Sequence, residues 1–337
     1  MKQSANQPRA TSRQPQPEPA SRRRILAALD SHEALLVGII LTASTVMSLL
    51  SSNFLTWTNI SGVLLGLAVE SIVAIGMTIL LVSGGFDLSV GSSMALSGAI
   101  AAMALAAGLP LLAALMVGLA VGSAIGLANG VIIAYIRINP FITTLGTMCI
   151  GRGLLYVLTG QKNITGLPRS FTVIGQGGIF GIQYPILISI VLVVLFDLLL
   201  RRSKFLRQNY YIGGNEKAAF LCGISVDRMK VFNYALTGLL AAVAGLVSTA
   251  RFGSSSLTAG VGLELKVITA VVIGGASLTG GEGTILGAFL GSCLMGLITD
   301  ALTLLGVESQ WNTLVIGSAL LIAVLVDTFN KRRKGLL

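Results

Sequence analysis

The sequence is poor in the groups that carry most protein chemistry. Its 337 residues include a single histidine, His32, and three cysteines, and only 11% of residues are charged. One histidine and no Cys-x-x-Cys spacing leave no zinc or iron–sulfur ligand set, and three cysteines in unrelated contexts give no disulfide framework. There is no Gly-x-x-x-x-Gly-Lys-Ser/Thr loop, so the chain lacks that device for binding ATP. Neither His-Glu-x-x-His nor Gly-x-Ser-x-Gly occurs, and enzyme readings have no motif to rest on. A soluble domain carries about a quarter charged residues, more than twice the share found here. Aromatic residues make up 6% of the chain, too few for the girdles of a β-barrel.

What is abundant is apolar residues, at 54% with a mean hydropathy of +0.86, and glycine, at 41 residues. Many thin, closely packed helices account for both, so the fold class is an all-α polytopic membrane protein. Apolar runs of spanning length, about 17 to 25 residues, fall at 34–52, 60–82, 92–108, 111–136, 139–160, 185–200, 231–250, 266–280, 284–305 and 311–329. Residues 1–30, rich in Pro, Gln, Ser and Arg, cannot bury a core and are expected to form a disordered cytoplasmic tail. The first apolar run is long enough to span and lacks a small-residue cleavage site behind it, so it is not read as a signal peptide. Residues 31–330 form the membrane domain, and 331–337 a basic tail.

The net charge of +10 reflects orientation rather than nucleic-acid binding, because the basic residues flank apolar runs. With both ends of a ten-span chain inside, 18 of the 23 lysines and arginines lie in the cytoplasmic segments, as the positive-inside rule requires. Cys149 and Cys293 fall within apolar runs and Cys222 in a basic loop, where they look inert. Glycines 118, 122, 126 and 130 share one face of the fourth span, and Gly283, Gly287 and Gly291 repeat the spacing in the ninth. Small residues at this period let helix backbones approach closely. Gly84 to Gly91 also resembles Gly274 to Gly281, both lying between apolar runs, which points to an internal repeat with broken helices.

Ionisable residues inside spans each cost about 2.5 to 3.5 kcal/mol on insertion scales and need compensation. Glu70 and Arg152 sit near span centres and are expected to face the bundle interior, paired with one another, as a structural salt bridge or as part of a gate. Asp87, in a glycine-rich joint, is expected to take backbone amides as a cap or to serve the solute pathway. Arg251, Glu264 and Lys266 lie toward the opposite side and are candidates for docking a soluble partner. In the basic loop 201–230, Gly213 and Gly214 precede Asn215, which can cap a short helix with Glu216 at its positive end and Gly223 closing it. Its exposed Phe220 and Leu221 would make a docking knob.

Gly213-Gly214-Asn215-Glu216-Lys217-Ala218-Ala219 with Gly223-Ile224 is one of four motifs that carry a family resemblance. The others are Gly84-Gly85-x-Asp87-Leu88-Ser89-Val90-Gly91-Ser92, Asn139-Pro140-Phe141-Ile142-x-Thr144-Leu145-Gly146, and the run from Val272 to Thr284. Together, over about residues 35 to 330, the chain resembles the permeases of ribose-type ATP-binding cassette (ABC) sugar importers. The resemblance implies a permease homodimer in the bacterial inner membrane and an ATPase with two nucleotide-binding halves that holds ATP and Mg. It also implies a periplasmic sugar-binding protein, and no cofactor in this chain. The loop around Gly213, Gly214, Asn215, Glu216, Ala219 and Gly223 would then couple to the ATPase. Lys266 departs from the Glu-Leu-Asp pattern of such relatives. Competing readings are a branched-chain amino-acid permease, an ion-driven secondary transporter and a structural membrane protein.

Overall fold

The computed structural model describes residues 32–308 and 310–333. The expected tail 1–30 and the last residues of the basic tail lie outside them. Thirteen helices make up most of the described chain. In order they are α1 (His32–Leu50), α2 (Trp57–Val82), α3 (Val90–Ala106), α4 (Leu111–Val131, extended by a π turn Ile132–Ile136), α5 (Pro140–Thr159) and α6 (Arg169–Gln176). A hairpin of β1 (Gly178–Ile179) and β2 (Ile182–Gln183) follows. The remaining helices are α7 (Tyr184–Arg202), α8 (Lys204–Gly214), α9 (Glu216–Leu221), α10 (Val226–Phe252), α11 (Leu263–Ile273), α12 (Ile285–Leu304) and α13 (Gln310–Arg333).

Among the described residues, eight helices have the length and apolarity to cross a bilayer: α1, α2, α4 with its π turn, α5, α7, α10, α12 and α13. α3 is apolar but shorter, at 17 residues. The run 266–280 is not one continuous helix. α11 spans eleven residues, about 16 Å, roughly half the ~30 Å of a hydrocarbon core. Gly275, Gly280, Gly281 and Gly283 all take positive φ, which ends the helix and turns the chain before α12.

Helix ends are set by the sequence in the expected way. Asn139 Oδ1 accepts from Phe141 N at 2.8 Å ahead of Pro140, and Thr284 Oγ1 accepts from Gly287 N at 3.0 Å. Each satisfies an orphan amide of a helix start. The core centres on α2 and α10. From Leu67 to Val82 nearly every side chain of α2 is buried, on all sides of the helix, the pattern of a helix enclosed by others rather than facing lipid.

α10 lies along α3 and α4, and the glycine stripe of α4 forms the seam. A Cβ on Gly126 would overlap the Tyr234 carbonyl, and one on Gly130 would stand 2.8 Å from Val231 Cα. The second stripe works in the same way, with Gly287 against the Gly274 carbonyl and Gly291 against that of Ala270. Within a bilayer, where apolar burial supplies little drive between helices, this close backbone contact is what binds them. α1 and α13 stand at the periphery, their apolar windows 11% and 0% buried.

A Gly126→Val substitution is expected to cost about 1–3 kcal/mol by overpacking this seam, lowering the melting temperature of the purified chain. Gly146 has open space where its Cβ would go, so Gly146→Ala should hold or raise it. Equal melting temperatures for the two variants would contradict the seam.

Candidate functional site

The two glycine-rich joints are built alike. α2 ends with Gly84 at φ 82°, its amide bonded to Leu81 O at 2.9 Å and that of Gly85 to Leu80 O at 2.8 Å. α11 ends with Gly275 at φ 94°, bonded to Val272 O at 2.9 Å, while Ala276 N reaches Val271 O at 3.1 Å. Both are the paired bonds of a left-handed glycine cap. A side-chain turn follows each cap. Asp87 Oδ1 accepts from Ser89 N at 2.7 Å and Ser89 Oγ at 2.6 Å, and Ser277 Oγ accepts from Thr279 N at 3.2 Å. The sequence likeness aligns Gly84 with Gly274, whereas the caps align Gly84 with Gly275, a one-residue offset.

The joints meet over α8, in the loop segment 201–230. Gly281 N donates to Val82 O at 2.9 Å, tying one joint to the other. A Cβ on Gly213, at the end of α8, would overlap the same Val82 carbonyl, and one on Gly280 would lie 2.8 Å from Gly213 Cα. Tyr210 of α8 donates to Gly283 O at 2.7 Å; burial pushes its hydroxyl above the usual tyrosine range, which keeps it a donor. Beyond Gly214, Asn215 Oδ1 caps α9 through Ala218 N at 3.0 Å and Gly223 closes it at φ 84°. Glu216 meets Lys230 at 2.8 Å, Ala219 is buried, and Phe220 and Leu221 are 69% and 84% exposed.

Asp87 is fully buried, and its turn extends into a chain that sequence reasoning missed. Asn129 Nδ2 donates to Ser89 Oγ at 3.0 Å, and Thr147 Oγ1 donates to Asn129 Oδ1 at 2.7 Å, joining the first joint to α4 and α5. A second missed cluster underlies α8, where Asn233 Nδ2 donates to Asn209 Oδ1 at 2.8 Å and to Ser83 Oγ at 3.2 Å. The available signal was an asparagine inside an apolar run, costly unless bonded.

Glu70 and Arg152 are not paired with each other. Glu70 accepts from Lys266 Nζ, and their side chains are 14% and 17% exposed. Arg152 donates from one nitrogen to Leu257 O and Ala259 O, both at 2.9 Å. It thereby fixes the 253–262 segment that dips back into the bundle before α11. Gly91, at the start of α3, packs against Gly260 of this segment, and Glu264 lies beside both Gly91 and Arg152. Of the three residues expected on a docking rim, Arg251 alone stays near the end of the bundle away from α8. It lies over the Phe252 ring, 5.0 Å from its centroid, and its carbonyl accepts from Gln176 at 3.1 Å.

Lys266 and Glu70 instead form the floor of a cavity of about 690 Å³ between α2 and α12. It opens at the end opposite α8 and α9, where Asn53, Thr58, Asn59, Thr299 and Thr303 line it with amides and hydroxyls. Asp300 on its wall accepts from Asn59 Nδ2 at 3.0 Å. Among the described residues no aromatic side chain lines it. Among the described residues no cluster of three His, Cys, Asp or Glu side chains is placed to hold a metal ion.

A multi-span bundle with two broken helices meeting a loop at one end, and a polar cavity opening at the other, is the build of a membrane permease. Residues 59–325 match the family described as the permease component of branched-chain amino acid transport systems, and the chain belongs to it. It is a transport subunit and not an enzyme. It is 44% identical over 284 residues to the ribose import permease of Bacillus subtilis, covering 84% of this chain and 88% of that one. The ribose import permease of Escherichia coli K12 is 39% identical over 311 residues, covering 91% and 96%. An L-arabinose ABC transporter permease of Azospirillum brasilense is 37% identical over 299 residues, covering 89% and 88%.

Replacing Arg152 with Leu should free two interior carbonyls, at a cost of about 1–3 kcal/mol for each left unpaired. Amides of 253–262 are expected to exchange faster in hydrogen-exchange mass spectrometry while those of α2 hold. Unchanged exchange in that segment would show that Arg152 does not fix it.

Proposed function

We propose that this chain is the permease subunit of an ABC importer that carries a neutral monosaccharide across the bacterial inner membrane. The observation that carries this reading is the cavity, whose hydroxyls and amides offer donors and acceptors suited to a polyhydroxylated solute. The relatives named for ribose and arabinose point the same way. ATP and Mg are bound by a separate ATPase with two nucleotide-binding halves, and a periplasmic binding protein delivers the sugar.

A second copy of the chain completes the path. An open cavity lined with polar side chains is disfavoured against lipid, and a two-fold mate would cover it. On the cytoplasmic side α9 is the docking knob, with Phe220 and Leu221 seated in the ATPase. Closure of the ATPase would be felt at Gly213 and passed to both joints. The description of the family favours a second reading, import of a branched-chain amino acid. Against it, the cavity mouth presents amides and hydroxyls rather than a ring of aliphatic side chains for such a solute.

The test is reconstitution of the chain in vesicles with the ATPase and binding protein encoded beside it, following ATP hydrolysis with binding protein loaded with D-ribose, L-arabinose or L-leucine. Stimulation by one sugar is expected, and stimulation by leucine alone would overturn the sugar reading. Glu216→Arg sets like charge against Lys230 and should weaken ATPase association about tenfold, ~1.4 kcal/mol. Undiminished association and uptake would remove α9 from the coupling role.

A further inference from the structure

The Glu70–Lys266 pair needs an explanation that stability does not supply. Each charge is costly at span depth, and a buried ion pair is often no more stable than apolar side chains in its place. The pair joins α2 to α11, the two helices that end in the glycine caps. Glu70 stands midway along α2 and Lys266 in the first turn of α11, so the pair lies deep in the cavity, about 20 Å from the start of α2.

Neither side chain is saturated. Among the described residues, Lys266 Nζ bonds only to Glu70 Oε1, and Glu70 only to Lys266. A lysine has three donors and a carboxylate about four acceptor sites, so two N–H groups and the second carboxylate oxygen remain in a space both residues line. Asp300, by contrast, already accepts from Asn59.

Resting on the transport reading above, we propose that Glu70 and Lys266 form a binding site for vicinal hydroxyls of a neutral polyol, and so help determine which solutes pass. One hydroxyl donates to Glu70 while its neighbour accepts from Lys266. The diol bridges the pair or exchanges for it, and neither charge is left alone at any point. A neutral partner is required by the local charge. With Glu70 and Asp300 against the single cation Lys266, a phosphorylated or carboxylated sugar meets net repulsion. A solute lacking one of the two hydroxyls leaves a desolvated group unpaired, the condition under which polar sites discriminate most strongly.

The test uses the permease–ATPase complex in lipid nanodiscs without binding protein, with D-ribose and a 2,4-dideoxypentose, whose 1- and 3-hydroxyls are not adjacent, as probes in saturation-transfer NMR. The parent should saturate ribose more strongly than the deoxy sugar. Glu70→Leu with Lys266→Met removes both charges together and leaves no lone ion. Ribose saturation in that variant should fall to the deoxy level, and uptake by the full complex by about tenfold, ~1.4 kcal/mol. The exchanged pair, Glu70→Lys with Lys266→Glu, keeps the donor and acceptor chemistry and should retain the preference for ribose, which a purely structural bridge would not provide. Parent-like ribose preference and uptake in the apolar variant would overturn the proposal while leaving the sugar reading intact. Uptake of leucine and no sugar by the parent would instead fell the sugar reading, and this proposal with it.

Discussion

Contact of backbone with backbone at Gly213 governs how the ends of this bundle relate. The Val82 carbonyl receives the Gly281 amide, and Gly213 lies where any side chain would overlap that carbonyl. α8, the first joint and the second joint therefore share one point with no side chain to cushion it. Close-packed contacts of this kind respond to displacement by shifting as a unit, because interiors are dense and poorly compressible. Through this point the loop at one end of the molecule is in packed contact with the ends of α2 and α11, the two helices that carry the ion pair at the cavity floor.

Much of the fold was legible because a bilayer narrows the choices. Spanning helices must satisfy their own backbones, so apolar length alone locates α1, α2, α4, α5, α7, α10, α12 and α13. Glycine spacing located both seams, and the capping pattern at Asn215 located α9. The eighth run was misjudged in extent for a physical reason. Val267 to Val272 and the small residues around Gly274 are as apolar as a span, and hydropathy does not register that a positive-φ glycine ends the helix. The one-residue offset between the joints escaped notice in the same way, since both contain adjacent glycines and only backbone bonding tells which one caps.

The site was less legible because its partners are distant in sequence. Glu70 and Arg152 were recognisable as charges requiring compensation, yet the compensation came from Lys266, 196 residues away from Glu70, and from two carbonyls of a re-entrant segment. Lys266 was placed with the opposite face because it begins an apolar run, the usual position of a rim residue. The interior start of α11 moves it inward instead. Asn129, Asn209 and Asn233 went unremarked although each is fully buried. In a low-dielectric interior such amides hold helices in a fixed register when satisfied and are costly when not. A search for uncharged polar residues within apolar runs would have found Asn129 and Asn233, whereas Asn209 sits in the basic loop, where an asparagine gives no signal.

The shortness of α11 has an electrical consequence. Because this helix starts inside the bundle, the positive end of its macrodipole, worth roughly half an elementary charge, lies in the interior. Glu264 occupies its first turn, Lys266 follows two residues later, and Glu70 faces Lys266 from α2. With Arg152 beside Glu264 and Asp300 on the cavity wall, these fixed charges sum to about minus one half, so the floor is weakly negative. A floor of that kind repels anions. An uncharged molecule crossing it does no work against the membrane voltage, whereas each elementary charge would exchange about 2.3 kcal/mol per 100 mV.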